Sequence, residues 1–332
     1  MYTDEDLDSA VKQGVLSSQS VTAFRDFIAA SRKTAVVDEE NFRLVGGFND
    51  IFVVIACGLL LFSSLWVWQL VNPTVAHLVF VALAWWLGEV FILKRKMALP
   101  AIFLLLNFVG GSFMLSQTIF AGQQFAEVVS TSVALAAAYG HWRRFNVPMT
   151  IAVATAAAMA IVASAIVAFL PEDGVAVMSA LFVFGILCFA FAMYWDAQDT
   201  QRITRKSDVA FWLHMLSAPL IIHPVFSTLG ILNGNESISN MVFIVLLYSL
   251  MTLVSITVDR RAFMVSSLFY VIYALQELFG NFGNVADSIA MTGMVMGSIL
   301  LLLSVYWQTS RRFIVSHLPS TLSQYLPAVK PQ

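Results

Sequence analysis

Residues 94–121 read KRKMALPAIFLLLNFVGGSFMLSQTIFA: three cations followed by a long run of almost entirely apolar residues. A helix needs roughly 20 apolar residues to cross the hydrocarbon core of a bilayer. Cations that flank such a run mark the end that stays in the cytoplasm. The stretch therefore predicts a membrane helix that starts at the cytoplasmic surface, and the same pattern recurs along the chain.

The composition of the 332-residue chain agrees with repeated membrane spans, because 59% of its residues are hydrophobic and 11% are charged. An ordinary soluble domain is about 45–50% apolar and about 25% charged. The composition excludes a soluble enzyme, a disordered chain and a nucleic-acid binder, so the expected partner is the lipid bilayer. Cys57 and Cys188 both lie in apolar runs and provide neither a disulfide framework nor a zinc ligand set.

Ten apolar segments of spanning length follow the N-terminal region. They lie near residues 51–71, 74–93, 97–121, 125–142, 148–170, 175–195, 209–232, 238–258, 262–280 and 286–307. Every second connection carries a cationic cluster, and the opposite connections carry only acidic or neutral residues. The fourth segment is diluted by polar residues, but leaving it out would place four cationic clusters outside the cell. The positive-inside rule therefore favours ten helices with both termini in the cytoplasm.

The predicted fold is all-α, a polytopic membrane bundle of ten transmembrane helices in five hairpins. This domain covers residues 47–310 and is followed by a cytoplasmic tail, 311–332. Residues 1–46 form a short cytoplasmic helical region, in which Gly14 is expected to end one helix and a serine at 17 or 18 to cap the next. A chain of this plan is expected in the inner membrane of a bacterium.

Two neighbouring helices carry polar side chains along one face, which makes them candidates for a cavity. Spacings of three and four residues place the members of each set on the same helical face. The sets are Tyr248, Thr252, Ser255 and Asp259 on the eighth helix, and Ser266, Tyr270, Tyr273 and Glu277 on the ninth. Such stripes either line a water-filled path or form hydrogen bonds across a helix contact.

The seventh helix contains His214, Pro219, His223 and Pro224. Two prolines free backbone carbonyls and predict a kink or an unwound turn, a feature that many carriers place at their binding sites. We therefore predict a substrate-binding site formed by His223, Tyr248, Thr252, Tyr270, Tyr273 and Glu277. His214 and His223 are nine residues apart, which places them on opposite sides of an ideal helix, about 180° apart, so they do not form a metal pair unless a kink rotates one of them.

Other polar and small residues of the membrane domain have structural interpretations. Glu89 lies one turn before Lys94–Lys96 and is expected to pair with them. Trp307 belongs to the tryptophans expected at the cytoplasmic membrane interface. Gly293 and Gly297 form a GxxxG pattern that predicts a helix packing face.

Motif searches find no nucleophile elbow, no HExxH pair and no phosphate-binding loop. We therefore expect no enzyme activity, no catalytic residues, no cofactor and no metal site. The favoured function is transport of a small solute or ion through a cavity near helices seven to nine. The alternative is a membrane scaffold or sensor whose N-terminal helices bind a cytosolic partner. The sequence leaves the substrate and the oligomeric state open.

Residues 10–28 read AVKQGVLSSQSVTAFRDFI, and a short acidic link then leads into the series of helical hairpins. This plan resembles uncharacterised bacterial membrane proteins of the DUF2157 type, in which a short helical N-terminal region precedes many spans. The resemblance covers the general plan of most of the chain. It implies the helical membrane fold given above and no particular activity.

The topology predicts which positions a membrane-impermeant thiol reagent reaches from outside the cell. A cysteine introduced at Gly174 or Gly234 should be labelled, because both positions lie in outer connections, whereas a cysteine at Ser207 should not. The reverse labelling pattern would contradict the ten-helix topology.

Overall fold

The computed structural model describes residues 4–31, 48–170, 174–202, 204–228, 238–280, 285–319, 323 and 325–327. All regular secondary structure in these ranges is helical. The chain divides into two compact units, Met1–Asn41 and Phe42–Gln332. The N-terminal cationic cluster of Arg32, Lys33 and Arg43 lies outside the described residues, as does Gly234.

The first unit contains two short helices, α1 (Asp4–Lys12) and α2 (Ser18–Ser31). Gly14 has a φ of +70°, a conformation that glycine adopts readily after a helix end. The hydroxyl oxygen of Ser17 accepts the backbone N–H of Ser20 at 3.0 Å and so caps α2. Both features agree with the sequence, in which a glycine stop and a serine cap separate the two helices.

The second unit contains ten long helices among the described residues. They are α3 (Phe48–Gln69), α4 (Pro73–Gly88, continued by a π-helical turn Glu89–Lys94), α5 (Ala98–Ile119), α6 (Ala126–Phe145), α7 (Met149–Phe169), α8 (Gly174–Ala197), α9 (Arg205–Thr228), α10 (Ile238–Val258), α11 (Arg261–Gly280) and α12 (Val285–Ser316). Their order follows the ten segments predicted from hydropathy.

Within the described ranges, eight of these helices are long and apolar enough to cross a membrane. This is the architecture of an all-helical chain with multi-pass membrane character. The apolar part of α10 is shorter, Val242–Val258. Helix α6 does not qualify, because Glu127 and three neighbouring hydroxyl residues begin it and two arginines end it. Ten spans in five hairpins therefore remain a prediction.

Helix α9 is the most buried of the eight apolar helices, whereas α3 and α7 mainly face outward. It packs most extensively against α8 and also contacts α7 and α11. Helices α10, α11 and α12 pack against one another, and α3, α4 and α5 do the same in the first half. The polar stripes predicted on α10 and α11 therefore lie in the same group of helices as α9.

Helix α9 stays helical through Pro219 and Pro224, so the predicted unwound turn is absent, whereas the alternative, a kink, stays a prediction. The GxxxG face of α12 is not a packing face within the described residues, because no described neighbour lies within 4 Å of a Cβ built on Gly293 or Gly297. Helix α12 instead packs against α10 and α11 through its other side chains.

Glu89 pairs with Arg144 at the end of α6 and not with the predicted lysines. Its two carboxylate oxygens accept hydrogen bonds of 2.7 Å each from Nε and Nη2 of Arg144. The planar guanidinium offers two parallel donors that match a carboxylate, which a lysine cannot do. This pair joins the C-terminal ends of α4 and α6 on one side of the bundle.

The contact between α8 and α9 yields a stability prediction at Gly185. A Cβ at this position would lie 2.8 Å from the backbone N of Ile221 and from the backbone C of Leu220, so the helices must move apart. We expect Gly185→Ala to cost about 1–3 kcal/mol of stability, the usual penalty for overpacking. Thermal unfolding in detergent measures the loss.

Gly140→Ala in α6 is the matched control, because no neighbour lies within 4 Å of the added methyl group. This substitution should be neutral or stabilise the helix by about 0.5–1 kcal/mol. Equal melting temperatures for the two variants would contradict the close approach of α8 and α9.

Candidate functional site

The structure brings three of the predicted substrate-binding residues together between α9, α10 and α11. The Tyr270 hydroxyl lies 3.3 Å from Nδ1 of His223, a hydrogen-bond distance that joins α11 to α9. Tyr248 and Tyr270 line a cavity of about 10 Å³ between the three helices. A single water molecule needs about 10–15 Å³. We call this cavity and the three polar side chains the polar pocket.

The remaining predicted residues are more scattered. Thr252 lies one turn along α10 from Tyr248, and the buried hydroxyls of the two residues interact with each other. Tyr273 packs against an apolar cluster instead of lining the pocket. Glu277 belongs to α11, but its side chain lies outside the described residues.

An apolar layer lies along the same helices, next to the polar pocket. It consists of buried side chains from α9, α10 and α11: Ala218, Ile221, Ile222, Phe226, Ile244, Met251, Phe263 and Ala274. Tyr270 and Phe189 pack against this layer. Ile222, Phe226 and Ile244 also line the cavity, so the layer encloses the pocket and extends from it to Phe263, whose ring lies near His214.

Charged side chains are buried together beyond the apolar layer, where α8, α10 and α12 end and α9 and α11 begin. We call this group the ionic network; it consists of Asp196, Arg202, His214, Asp259, Arg260 and Arg311. Asp196, His214 and Arg311 are 0% exposed, and Arg260 is 1% exposed. Burial of a charge in a low dielectric is costly unless the charge is paired and hydrogen-bonded, which the network achieves.

Asp196, at the end of α8, forms one centre of the network. Its carboxylate accepts hydrogen bonds from Nη2 and Nε of Arg260, and its Oδ2 lies 2.9 Å from Nε2 of His214. Nη2 of Arg260 also donates to the backbone oxygen and the hydroxyl of Ser207, both at 3.0 Å. These bonds join α8, the start of α9 and the turn between α10 and α11.

Asp259, in the turn between α10 and α11, forms the other centre. It accepts a hydrogen bond of 2.7 Å from Nε1 of Trp307 on α12. Its Oδ2 lies 3.3 Å from Nη1 of Arg202 and 3.7 Å from Nη1 of Arg311. Helix α12 and the connection between α8 and α9 are thereby tied to the same turn.

Two network residues, one in the α10–α11 turn and one in the α8–α9 connection, have a left-handed backbone conformation. Asp259 has a φ of +59° and Arg202 a φ of +57°, values that non-glycine residues rarely adopt. Nη2 of Arg202 donates to the carbonyl oxygens of Val258 at 3.0 Å and Asp259 at 2.7 Å, which caps the end of α10. These hydrogen bonds offset the strain of two left-handed residues.

The network contains three guanidinium groups and two carboxylates, so it carries one excess positive charge when His214 is neutral. Burial lowers the pKa of Arg202, in the connection between α8 and α9, to about 10. Arg202 therefore stays charged at neutral pH.

The sequence assigned these arginines to cationic clusters at the membrane surface, and for Arg260 and Arg311 the structure shows burial inside the protein. Trp307, predicted at the membrane interface, is 1% exposed because it bonds Asp259 inside the bundle. A sequence signal existed: Asp196 and Asp259 each follow an apolar run, and Asp259 ends the polar stripe of α10. Ser207 is buried as well, so the inner labelling position for the topology test moves to exposed Lys206.

Further searches of the described residues do not alter the choice of site. No group of three or more histidine, cysteine or acidic side chains in these ranges is placed to hold a metal ion. A larger cleft of about 200 Å³ lies between α5 and α6 and contains none of the predicted residues. It is lined by Ser112, Leu115, Ser116, Ile119, Phe120 and Val133.

Comparisons with known proteins find no matching family model, no similar curated protein and no similar solved structure. The resemblance to the DUF2157 type therefore stays a prediction.

Arg260 provides a direct test of how strongly the network holds the helices. Arg260→Ala leaves Asp196 buried without its main partner, so we expect a loss of about 3–5 kcal/mol in the free energy of unfolding. The double variant with Asp196→Ala should recover part of this loss, because no unpaired carboxylate remains. Thermal and denaturant unfolding in detergent measure both changes.

Arg143→Ala is the matched control, because Arg143 is exposed and its side chain reaches Tyr139 only at 3.5 Å. We expect a change within about 0.5 kcal/mol there. An Arg260→Ala variant as stable as Arg143→Ala would mean that the network does not hold the bundle together.

Proposed function

We propose that this chain is a membrane transporter of a small solute, and that the solute passes between α9, α10 and α11. The path would include His223, Tyr248, Thr252, Tyr270, Tyr273 and Glu277, as the sequence predicts. In this proposal the polar pocket is the occluded binding site. The ionic network is the gate on the side of the cationic clusters. The protein itself catalyses no reaction.

The observation that carries the proposal is that the polar pocket and the ionic network lie on the same helices, with closely packed apolar side chains around the pocket and between the two. His214 in the network and His223 at the pocket are nine residues apart on α9, about 14 Å along a helix. A solute that leaves the pocket toward the network must separate the ends of α9, α10 and α11. These are the ends that Arg260 and Asp259 tie together.

The physical chemistry of buried ion pairs supports a gate over a purely stabilising role. Apolar side chains of similar volume often stabilise a protein as well as a buried ion pair does. Ion pairs differ from apolar contacts in that water can replace both partners once the site opens. A network of pairs therefore provides two defined states, closed and dry or open and hydrated.

The pocket supports a polar solute. The buried hydroxyls of Tyr248 and Thr252 interact with each other, and His223 and Tyr270 hold a hydrogen bond that a solute would replace. Buried polar groups that do not make all their hydrogen bonds cost free energy. A solute with hydrogen-bonding groups would supply the missing bonds.

We also propose ten spans with both termini in the cytoplasm of a bacterial inner membrane. The contacts support the underlying pattern: Glu89 and Arg144 join the ends of α4 and α6, and the network joins the ends of α8, α10 and α12. In each of these two groups, every second helix along the chain ends on the same side, as expected for successive hairpins.

The alternative is a scaffold or sensor whose N-terminal helices bind a cytosolic partner. The separate compact unit Met1–Asn41 favours it. The two functions differ in whether Thr252 ever contacts water, because a scaffold needs no aqueous path through its bundle.

Thiol accessibility tests the aqueous path without knowledge of the solute. In a Cys57→Ser, Cys188→Ser background, a cysteine at Thr252 should react with a charged, membrane-impermeant methanethiosulfonate reagent added to either side of a membrane vesicle. The reason is that the proposed pocket opens in turn to each side. Mass spectrometry of the labelled protein measures the rate.

Leu250→Cys is the matched control, because Leu250 lies two residues away on α10 and is exposed on the outside of the bundle. A charged reagent does not enter lipid, so Leu250→Cys should stay unlabelled. Equal protection of Thr252→Cys from both sides would contradict transport through this pocket and favour the scaffold.

A further inference from the structure

His214 holds an unused proton acceptor inside the ionic network. Its side chain is fully buried, and Nε2 lies 2.9 Å from Oδ2 of Asp196. A carboxylate only accepts hydrogen bonds, so Nε2 carries the hydrogen and Nδ1 carries a lone pair. Nδ1 is buried and has no hydrogen-bond partner in the described part of the chain. Nδ1 of His214 is therefore a base shielded from water, next to the charged groups of the ionic network.

A positive charge on His214 would interact strongly with its neighbours, because these are charged groups in apolar surroundings. Helix α8 contributes Asp196 and Cys188, the α8–α9 connection Arg202, and the α10–α11 turn Arg260. The rings of Phe189 and Phe263 lie 5.3 Å and 6.2 Å from the imidazole and keep the surroundings apolar. Asp208 in the first turn of α9 interacts electrostatically with Arg260 and with Asp199, and is a second titratable group beside the network. Helix α7, which also packs on α9, has no titratable residue.

We infer that Nδ1 of His214 is a proton-binding site whose occupation opens the ionic network, so that solute movement is coupled to protons. The coupling rests on the proposed transport function. A proton from water at the network end of the bundle binds the lone pair of Nδ1, and no other covalent bond forms or breaks. Nε2 donates to Asp196 in the neutral form as well, but after protonation it does so as part of a cation, which competes with Arg260 for that carboxylate.

The charge balance gives the direction of the change. The six network residues carry one excess positive charge before protonation and two afterwards, and the neighbouring carboxylates of Asp199 and Asp208 lie outside this count, so the change at the network is one added positive charge. Repulsion between the imidazolium and Arg260 acts over a short distance in a low dielectric, where charge interactions are strongest. This repulsion decreases when Arg260 moves away from Asp196, and water can then hydrate Arg260. Binding of the proton and opening of the gate therefore favour each other.

Spin labels at exposed positions measure this opening directly. Cysteines at Gln201 and Thr309, in the Cys57→Ser, Cys188→Ser background, place labels on the α8–α9 connection and near the end of α12. Pulsed electron paramagnetic resonance in nanodiscs should show a longer-distance population that grows from pH 8 to pH 5. We expect the ratio of open to closed protein to rise about tenfold, the effect of a one-unit difference in proton affinity between the two states.

His214→Gln should abolish the response, since the amide still donates to Asp196 but does not titrate. His141→Gln is the control, because His141 is another buried histidine, bonded to Thr150 at 3.3 Å in the first half of the domain. It should leave the response intact. If His214→Gln does not fold, 15N-histidine NMR of the wild-type protein gives the same test. One buried imidazole should titrate together with the distance change.

The outcomes separate this inference from the proposed function. A pH response that persists in His214→Gln, or a wild-type protein without any response between pH 5 and 8, would overturn the proton site. If Thr252→Cys is labelled but the distances between the spin labels do not change with pH, the transport proposal is supported and the proton site is contradicted. If the distances respond through His214 while Thr252→Cys stays protected, His214 is a proton-binding switch in a protein that does not transport by this path.

Discussion

Pairing of buried charge is the constraint on which the second half of the membrane domain depends. Asp196 and Asp259 are almost completely buried, and each is paired with arginine, because an unpaired carboxylate is costly to bury. The bonds that satisfy them fix the end of α8, the start of α9, the α10–α11 turn and the end of α12 at one place. The left-handed backbone of Asp259 and Arg202 follows from the same requirement.

The remaining packing separates this charged layer from the polar pocket. Phe263 contacts both sides, because its ring lies near His214 and its side chain belongs to the apolar layer with Phe226. Phe226 in turn packs against Tyr270 with ring centroids 4.9 Å apart. In the proposed mechanism, a movement that frees Arg260 would reach the pocket through this apolar cluster.

Much of the fold follows from the sequence because membrane spans are a strong signal. Apolar runs predicted the order and approximate bounds of all ten long helices, and helical spacing placed Tyr248, Ser255 and Asp259 on one buried face. The proximity of His223 and Tyr270 agrees with the predicted grouping of α9 and α11.

The partners of individual charges could not be predicted in the same way. Cations beside a span usually face water, and hydropathy does not distinguish a solvated arginine from one that turns inward to an aspartate on another helix. Arg260 and Glu89 illustrate this, since Asp196 and Arg144 lie 64 and 55 residues away in the chain. The packing of α8 and α11 against α9 brings Arg260 to Asp196, and the packing of α4 and α6 against α5 brings Glu89 to Arg144.

The central claim is that the contact between Arg260 and Asp196 is closed in one state of the protein and broken in another. An electron cryo-microscopy structure in nanodiscs, with a bound antibody fragment and data at neutral and acidic pH, measures this most directly. The account predicts two classes of particles, one with Arg260 on Asp196 and one in which the two are apart and a water-filled space reaches Phe263. A single class at both pH values, with the contact intact and the helix ends unmoved, would contradict it.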